Sequence, residues 1–253
     1  MIFRMIVMIA YSLFHILLAT ASAKEVGVAV AANFQSTLKM IATEFERNTG
    51  HRVRISSGSS GKFFAQIQHG APFDVFFSAD VARPKLLEEA GLTVPGSRFT
   101  YAAGRLTLWS SNPSMLKKDG PSVLSDGQFT HLAIANPKTA PYGAAAIQTL
   151  KKLGLWNHVK KRIVQGENIG QTFHFVFSEN APLGFVARAQ VLDPKIRGRG
   201  SRWDVPEDFH EPLLQQAVLL LHGKKNEAAQ AFLKYVQGEQ ARTIIEQFGF
   251  KLE

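Results

Sequence analysis

Six small apolar residues in a row, Val26-Gly27-Val28-Ala29-Val30-Ala31, leave a strand with no polar face. Such a strand must be covered on both sides, as in a parallel sheet sandwiched between helices. After Ala32-Asn33 the spacing becomes helical: Phe34, Leu38, Ile41 and Phe45 recur at i, i+4, i+7 and i+11, and Gly50 stands at the expected stop. Asn33 falls where the N-cap of that helix is expected. The unit then repeats. A β-like run at Val53–Ile55 turns through Ser56-Ser57-Gly58-Ser59-Ser60-Gly61 into a helical segment ending near Gly70. A third strand, Phe73–Phe77, is closed by Ser78-Ala79-Asp80 and followed by a helix from Arg83 to Ala90. This alternation predicts a mostly parallel sheet with helices on its faces.

A second β-α set begins at Arg105–Ser110. Leu132–Ala135 reads as its next strand, leading through Asn136-Pro137 and Pro141-Tyr142-Gly143 into a helix from Ala144 to Leu153. Asn168 is a cap candidate for a helix from Ile169 to Phe177, and Ala181–Ala187 reads as a turn into a buried strand. Gln215–Leu221 is one more apolar strand, and two helices, Asn226–Gln237 and Glu239–Gln247, close the chain.

Met1–Ala23 has the form of an export leader. Arg4 is its lone charge, Ile6–Leu18 is almost unbroken apolar sequence, and Ala21-Ser22-Ala23 is a small-x-small cleavage site. The run falls short of the roughly 20 apolar residues of a spanning helix, so cleavage before Lys24 is favoured over an uncleaved anchor. The chain has no cysteine, which excludes disulfides, thiolate metal sites and a lipidated-cysteine anchor. Its formal net charge of +9 suits an anionic partner. The basic cluster Lys195–Arg202 lacks interleaved aromatics and reads as a solvated loop, and nucleic acid is a poor partner for an exported protein.

Enzyme signatures are weak. The eight histidines show no metal-ligand spacing, Lys62 replaces the closing glycine of a nucleophile elbow around Ser60, and no phosphate-binding loop occurs. An exported hydrolase using Ser60 would need a histidine base that no motif marks. An iron carrier would need clustered phenolates, and the mature tyrosines are only Tyr101, Tyr142 and Tyr235. What remains is four helix starts, at Asn33, Ser59/Ser60, Tyr142 and Ile169, two from each half of the chain. A helix start directs unpaired N–H groups and the positive end of its dipole outward, the chemistry of an anion site.

These residues resemble the molybdate-binding proteins of ABC importers over nearly the whole mature chain. The similarity is sharpest at Ser57–Gly61, at Gly70-Ala71-Pro72-Phe73-Asp74 through Ser78-Ala79-Asp80, at Asn136-Pro137 with Pro141-Tyr142-Gly143, and at Ala181-Pro182-Leu183-Gly184. The resemblance implies a two-lobed α/β periplasmic-binding fold, each lobe a mostly parallel sheet flanked by helices, with the ligand cleft between them. Lobe 1 is expected over 24–102 plus 210–253 and lobe 2 over 103–209, with hinges near Tyr101–Gly104 and Pro206–Leu214. It also implies a non-enzymatic, periplasmic and monomeric carrier without a cofactor, which hands molybdate or tungstate to a membrane permease. A sulfate, thiosulfate or phosphate carrier is the alternative. The implied oxyanion ligands are Asn33, Ser59, Ser60, Tyr142 and Ile169, the last two through main-chain N–H groups. Many members carry a donor tyrosine where this chain has Ala187, and the Tyr142 hydroxyl is the expected replacement.

Overall fold

The computed structural model describes residues 23–116 and 120–252; the expected leader, apart from Ala23, lies outside them. Two five-stranded sheets make two lobes. The first sheet has the order β2-β1-β3-β10-β4, from β1 (Glu25–Ala31), β2 (Arg52–Gly58), β3 (Val75–Ser78), β4 (Phe99–Gly104) and β10 (Leu213–Leu219). The second has the order β7-β6-β8-β5-β9, from β5 (Leu106–Ser110), β6 (Leu132–Ala135), β7 (Ile163–Gly166), β8 (Leu183–Ala187) and β9 (Ser201–Asp204). The chain passes between the sheets twice, at Arg105 and over residues 205–212.

The sheets are mixed rather than mostly parallel. β1 pairs in parallel with β2 and β3, but β10 is antiparallel to both β3 and β4. The second sheet repeats this, with β6 parallel to β7 and β8 and β5 antiparallel to β8 and β9. The antiparallel pairs involve the strands next to the two crossings: a chain that leaves one sheet along β4 and returns along β10 runs in opposite directions on the two passages.

β1 is buried on both faces, as its composition requires. Val26, Val28 and Val30 face a core with Phe34, Leu38, Ile41 and Phe45 of the following helix, whereas Ala29 faces Phe63, Phe76 and Leu87 on the other side. That helix, α1 (Gln35–Thr49), ends at Gly50 in the left-handed conformation (φ 73°), with its N–H on Glu46 O at 2.9 Å.

Two local expectations are corrected. Ser56-Ser57-Gly58 is not turn but the end of β2, held in parallel register with Ala29–Ala31, so Ser59 alone links strand to helix. Asn33 does not cap α1. A short 3₁₀ turn, Ala32–Phe34, intervenes, Phe34 takes the cap position, and the Asn33 side chain turns away to Gln215. Among the described residues no helix is long and apolar enough to cross a membrane.

Candidate functional site

Helix α2 (Ser60–Gln68) starts from Ser59, whose Oγ accepts from Lys62 N at 3.4 Å as an N-cap. Ser60, the first helical residue, is buried, and its Oγ accepts from the Ala79 N–H at 2.9 Å. A hydroxyl that accepts in this way keeps its own proton to donate. In the second lobe, α5 (Pro141–Lys152; α3 and α4 are Ala82–Glu89 and Ser122–Asp126) carries Pro141 in its first turn, followed by buried Tyr142. Helix α7 (Ile169–Phe177; α6 is Trp156–Val159) is capped by Asn168, whose Oδ1 accepts from Gln171 N at 3.0 Å. The first-turn N–H groups of Ser60, Tyr142 and Ile169 have no intrahelical acceptor.

These starts face one another across the lobes. Gly61 N–H donates to Thr139 O at 2.9 Å, joining the start of α2 to the residue two before Pro141. The Ala32 Cβ lies 3.2 Å from where a Cβ on Gly170 would stand, which seats the 3₁₀ turn against the start of α7. Gln215 Nε2 on β10 donates to the Tyr142 hydroxyl at 3.2 Å. The structure thus brings Asn33, Ser59, Ser60, Tyr142 and Ile169 to one seam, with the lobes in contact along it. A cavity of ≈ 210 Å³ opens beside the seam, bounded in part by Ala32, Asn33, Gly170 and Gln190; Ser60, Tyr142 and Ile169 do not line it.

The seam is neutral in its donors. Arg83 comes close, but its guanidinium is committed to Asp80 and to Lys138 O at 3.2 Å. Lys62 and Glu167 pair across the lobes at 2.6 Å with both side chains about half exposed, so their bond adds little. Burial pushes the Tyr142 hydroxyl well above the usual phenol range, against the opposing pull of the Gln215 and Asn33 amides. Burial, with Tyr142 and Asp80 nearby, does the same to Tyr101. Both phenols therefore hold their protons at neutral pH. Among the described residues no group of three or more His, Cys, Asp or Glu is placed to hold a metal ion.

Ala187, where a hydroxyl donor was expected to be missing, is fully buried. Its N–H donates to Gln190 Oε1 at 3.0 Å, and Gln190 Nε2 donates onward to Ile169 O at 3.1 Å. The Tyr142 hydroxyl sits at the base of the seam beside Gly104, where any Cβ would collide with it and with Gln215 Nε2. Gly104→Ala is accordingly expected to cost roughly 1–2 kcal/mol of stability by overpacking, read from urea unfolding; an unchanged midpoint would contradict this contact.

Sequence reasoning missed Gln215, Tyr101 and Thr139. The one available signal was Gln215-Gln216 inside an otherwise apolar strand, since a buried amide needs partners.

The model of a family described as bacterial extracellular solute-binding protein matches residues 26–251. A molybdate-binding protein of Azotobacter vinelandii is 52% identical over 239 residues, covering 94% of both chains. One of Rhodobacter capsulatus is 46% identical over 233 residues, covering 92% of this chain and 90% of its own. The solved periplasmic molybdate-binding protein of Azotobacter vinelandii superposes with a TM-score of 0.86 at 42% identity, over 92% of this chain and 100% of its own.

Proposed function

The chain belongs to the bacterial extracellular solute-binding proteins, and we propose that it captures molybdate or tungstate outside the cytoplasm and delivers it to the membrane permease of an ABC importer. The names of its relatives support molybdate, and binding rather than catalysis. It is not an enzyme, as the relatives it matches over nearly its whole length are molybdate-binding proteins. Export to the periplasm by cleavage before Lys24, and action as a monomer, belong to the same proposal.

The observation that carries the reading is the meeting of four helix starts, two per lobe, with neutral donors. In this account the dianion takes the Ser60 hydroxyl, the Asn33 amide and the N–H groups of Tyr142 and Ile169, with Ser59 beside Ser60. Hydrogen bonds to an ionised partner contribute about 1.5–3 kcal/mol each, so several suffice without a contacting cation. Hydrogen phosphate carries a proton that such a donor set does not accept, and closure on the smaller sulfate leaves gaps around it. We place the hinge at the two crossings, Arg105 and 205–212, and lobe 1 in 24–104 with 213–253.

A thermal-shift screen with molybdate, tungstate, sulfate and phosphate tests the reading. Stabilisation by the first two is expected; stabilisation by sulfate or phosphate with none from molybdate overturns it. The net charge of +9, or +8 once Arg4 leaves with the leader, acts on encounter rather than contact. In stopped-flow, raising the salt from low to high concentration should therefore slow association about tenfold and leave dissociation within about twofold. A dissociation rate that rises as steeply as association falls would place a cation in the site.

A further inference from the structure

Four buried side chains at the base of the seam are linked through Gln215, which bonds to the other three. Asn33 Nδ2 donates to Gln215 Oε1 at 2.8 Å, and Gln215 Nε2 donates to the Tyr142 hydroxyl at 3.2 Å. The Tyr101 hydroxyl reaches both Gln215 Oε1 at 2.8 Å and Ser78 O at 3.1 Å. With the amides assigned this way three demands go unmet. Asn33 Oδ1 is buried and accepts from no described group. Tyr101 has one proton for two acceptors, and Tyr142 accepts from Gln215 without giving its own proton to it.

An amide turned through 180° exchanges its oxygen and nitrogen while the other atoms stay in place. With both amides turned, Gln215 Nε2 supplies one proton to the Tyr101 oxygen and one to Asn33 Oδ1. Tyr101 then gives its single proton to Ser78 O, and Tyr142 gives its own to Gln215 Oε1. Each of these groups is now satisfied. Asn33 Nδ2 stands where its oxygen stood, as a donor with protons still to give. An oxyanion is repelled by the first arrangement and held by the second.

We propose that Gln215 is a positioning residue: its amide, bonded at once to Tyr101, Asn33 and Tyr142, fixes which end of Asn33 is turned to the oxyanion, and the arrangement that satisfies all four side chains turns the Asn33 nitrogen to it. The inference rests on the seam being the oxyanion site. It also assigns the Tyr142 hydroxyl to Gln215, so that Tyr142 serves the anion through its main-chain N–H. The position demands a side chain that both donates and accepts, which glutamine supplies and methionine, of similar length, does not.

A double-mutant cycle read by calorimetric titration with molybdate tests this. Gln215→Met and Asn33→Ala should each weaken binding about tenfold, and the double variant no more than about twofold beyond either single one. Losses that multiply to about a hundredfold, or a Gln215→Met protein that binds like wild type, overturn the role of Gln215. Wild-type protein that binds neither molybdate nor tungstate removes the underlying reading instead, and this inference with it. A measurement on the unaltered protein stands beside the cycle in case Gln215→Met does not fold. In ¹⁵N-labelled wild type, the side-chain NH₂ signals of Asn33 and Gln215 should shift together on adding molybdate. Signals that stay in place while binding proceeds contradict the role of Gln215 in positioning Asn33.

Discussion

Gly61→Val is expected to weaken oxyanion binding by about 3–6 kcal/mol, the loss of two hydrogen bonds to an ionised partner. A Cβ at position 61 would stand 2.9 Å from Thr139 Cα and 3.1 Å from Arg83 Nη2. The first of these is backbone of the opposite lobe and cannot swing aside. The bond from Gly61 N–H to Thr139 O would be lost as well. The lobes would then be held apart, and the N–H groups of Tyr142 and Ile169 would be withdrawn from Ser60 and Asn33. Folding should survive, because the packing around Phe34, Phe45, Phe77 and Phe232 in lobe 1 is separate from that around Leu108, Ile134, Leu150 and Phe185 in lobe 2. Calorimetric titration gives the affinity, and small-angle scattering with saturating molybdate should show the variant more extended than wild type. Wild-type affinity would mean that closure does not pass through the Gly61–Thr139 contact.

Ser60→Ala should cost about 1.5–3 kcal/mol of binding, a charge-assisted hydrogen bond removed without a change in closure. The substitution also leaves the Ala79 N–H without its acceptor, so a stability loss of about 1 kcal/mol should accompany it. Ser59→Ala gives the contrast. Ser59 Oγ serves as the helix cap, and its removal should affect stability at least as much as binding. Equal binding losses at the two serines would show that the site does not distinguish them.

Much of the fold was legible because burial leaves a plain trace in a sequence. A strand covered on both faces must be small and apolar throughout, as Val26–Ala31 is, and Phe34, Leu38, Ile41 and Phe45 can share a core only on a helix. Strands β4, β7 and β9 were not seen. They have four to six residues, and Ser201–Asp204 alternates partly buried and exposed positions inside a run of basic residues, as an edge strand can. Of the site, three of the four helix starts were visible from local turn chemistry, since Ser59, Pro141 and Asn168 announce them. The orientation of Asn33 was not. Its partner Gln215 lies 182 positions away, and nothing near Asn33 in the chain signals that a 3₁₀ turn takes its side chain out of the cap position. Contacts that join one crossing to the other, as Gly104, Tyr142 and Gln215 do, belong to the assembled lobes and leave no periodic mark.

Anomalous diffraction at the tungsten edge, from crystals grown with tungstate, tests the central claim most directly. The account predicts one strong peak in the seam, with ligand oxygens within hydrogen-bonding distance of Ser60 Oγ, the Asn33 side chain and the N–H groups of Tyr142 and Ile169, and no lysine or arginine among its contacts. A principal peak at the basic loop Lys195–Arg202, or in the seam but held by Arg83, would contradict it.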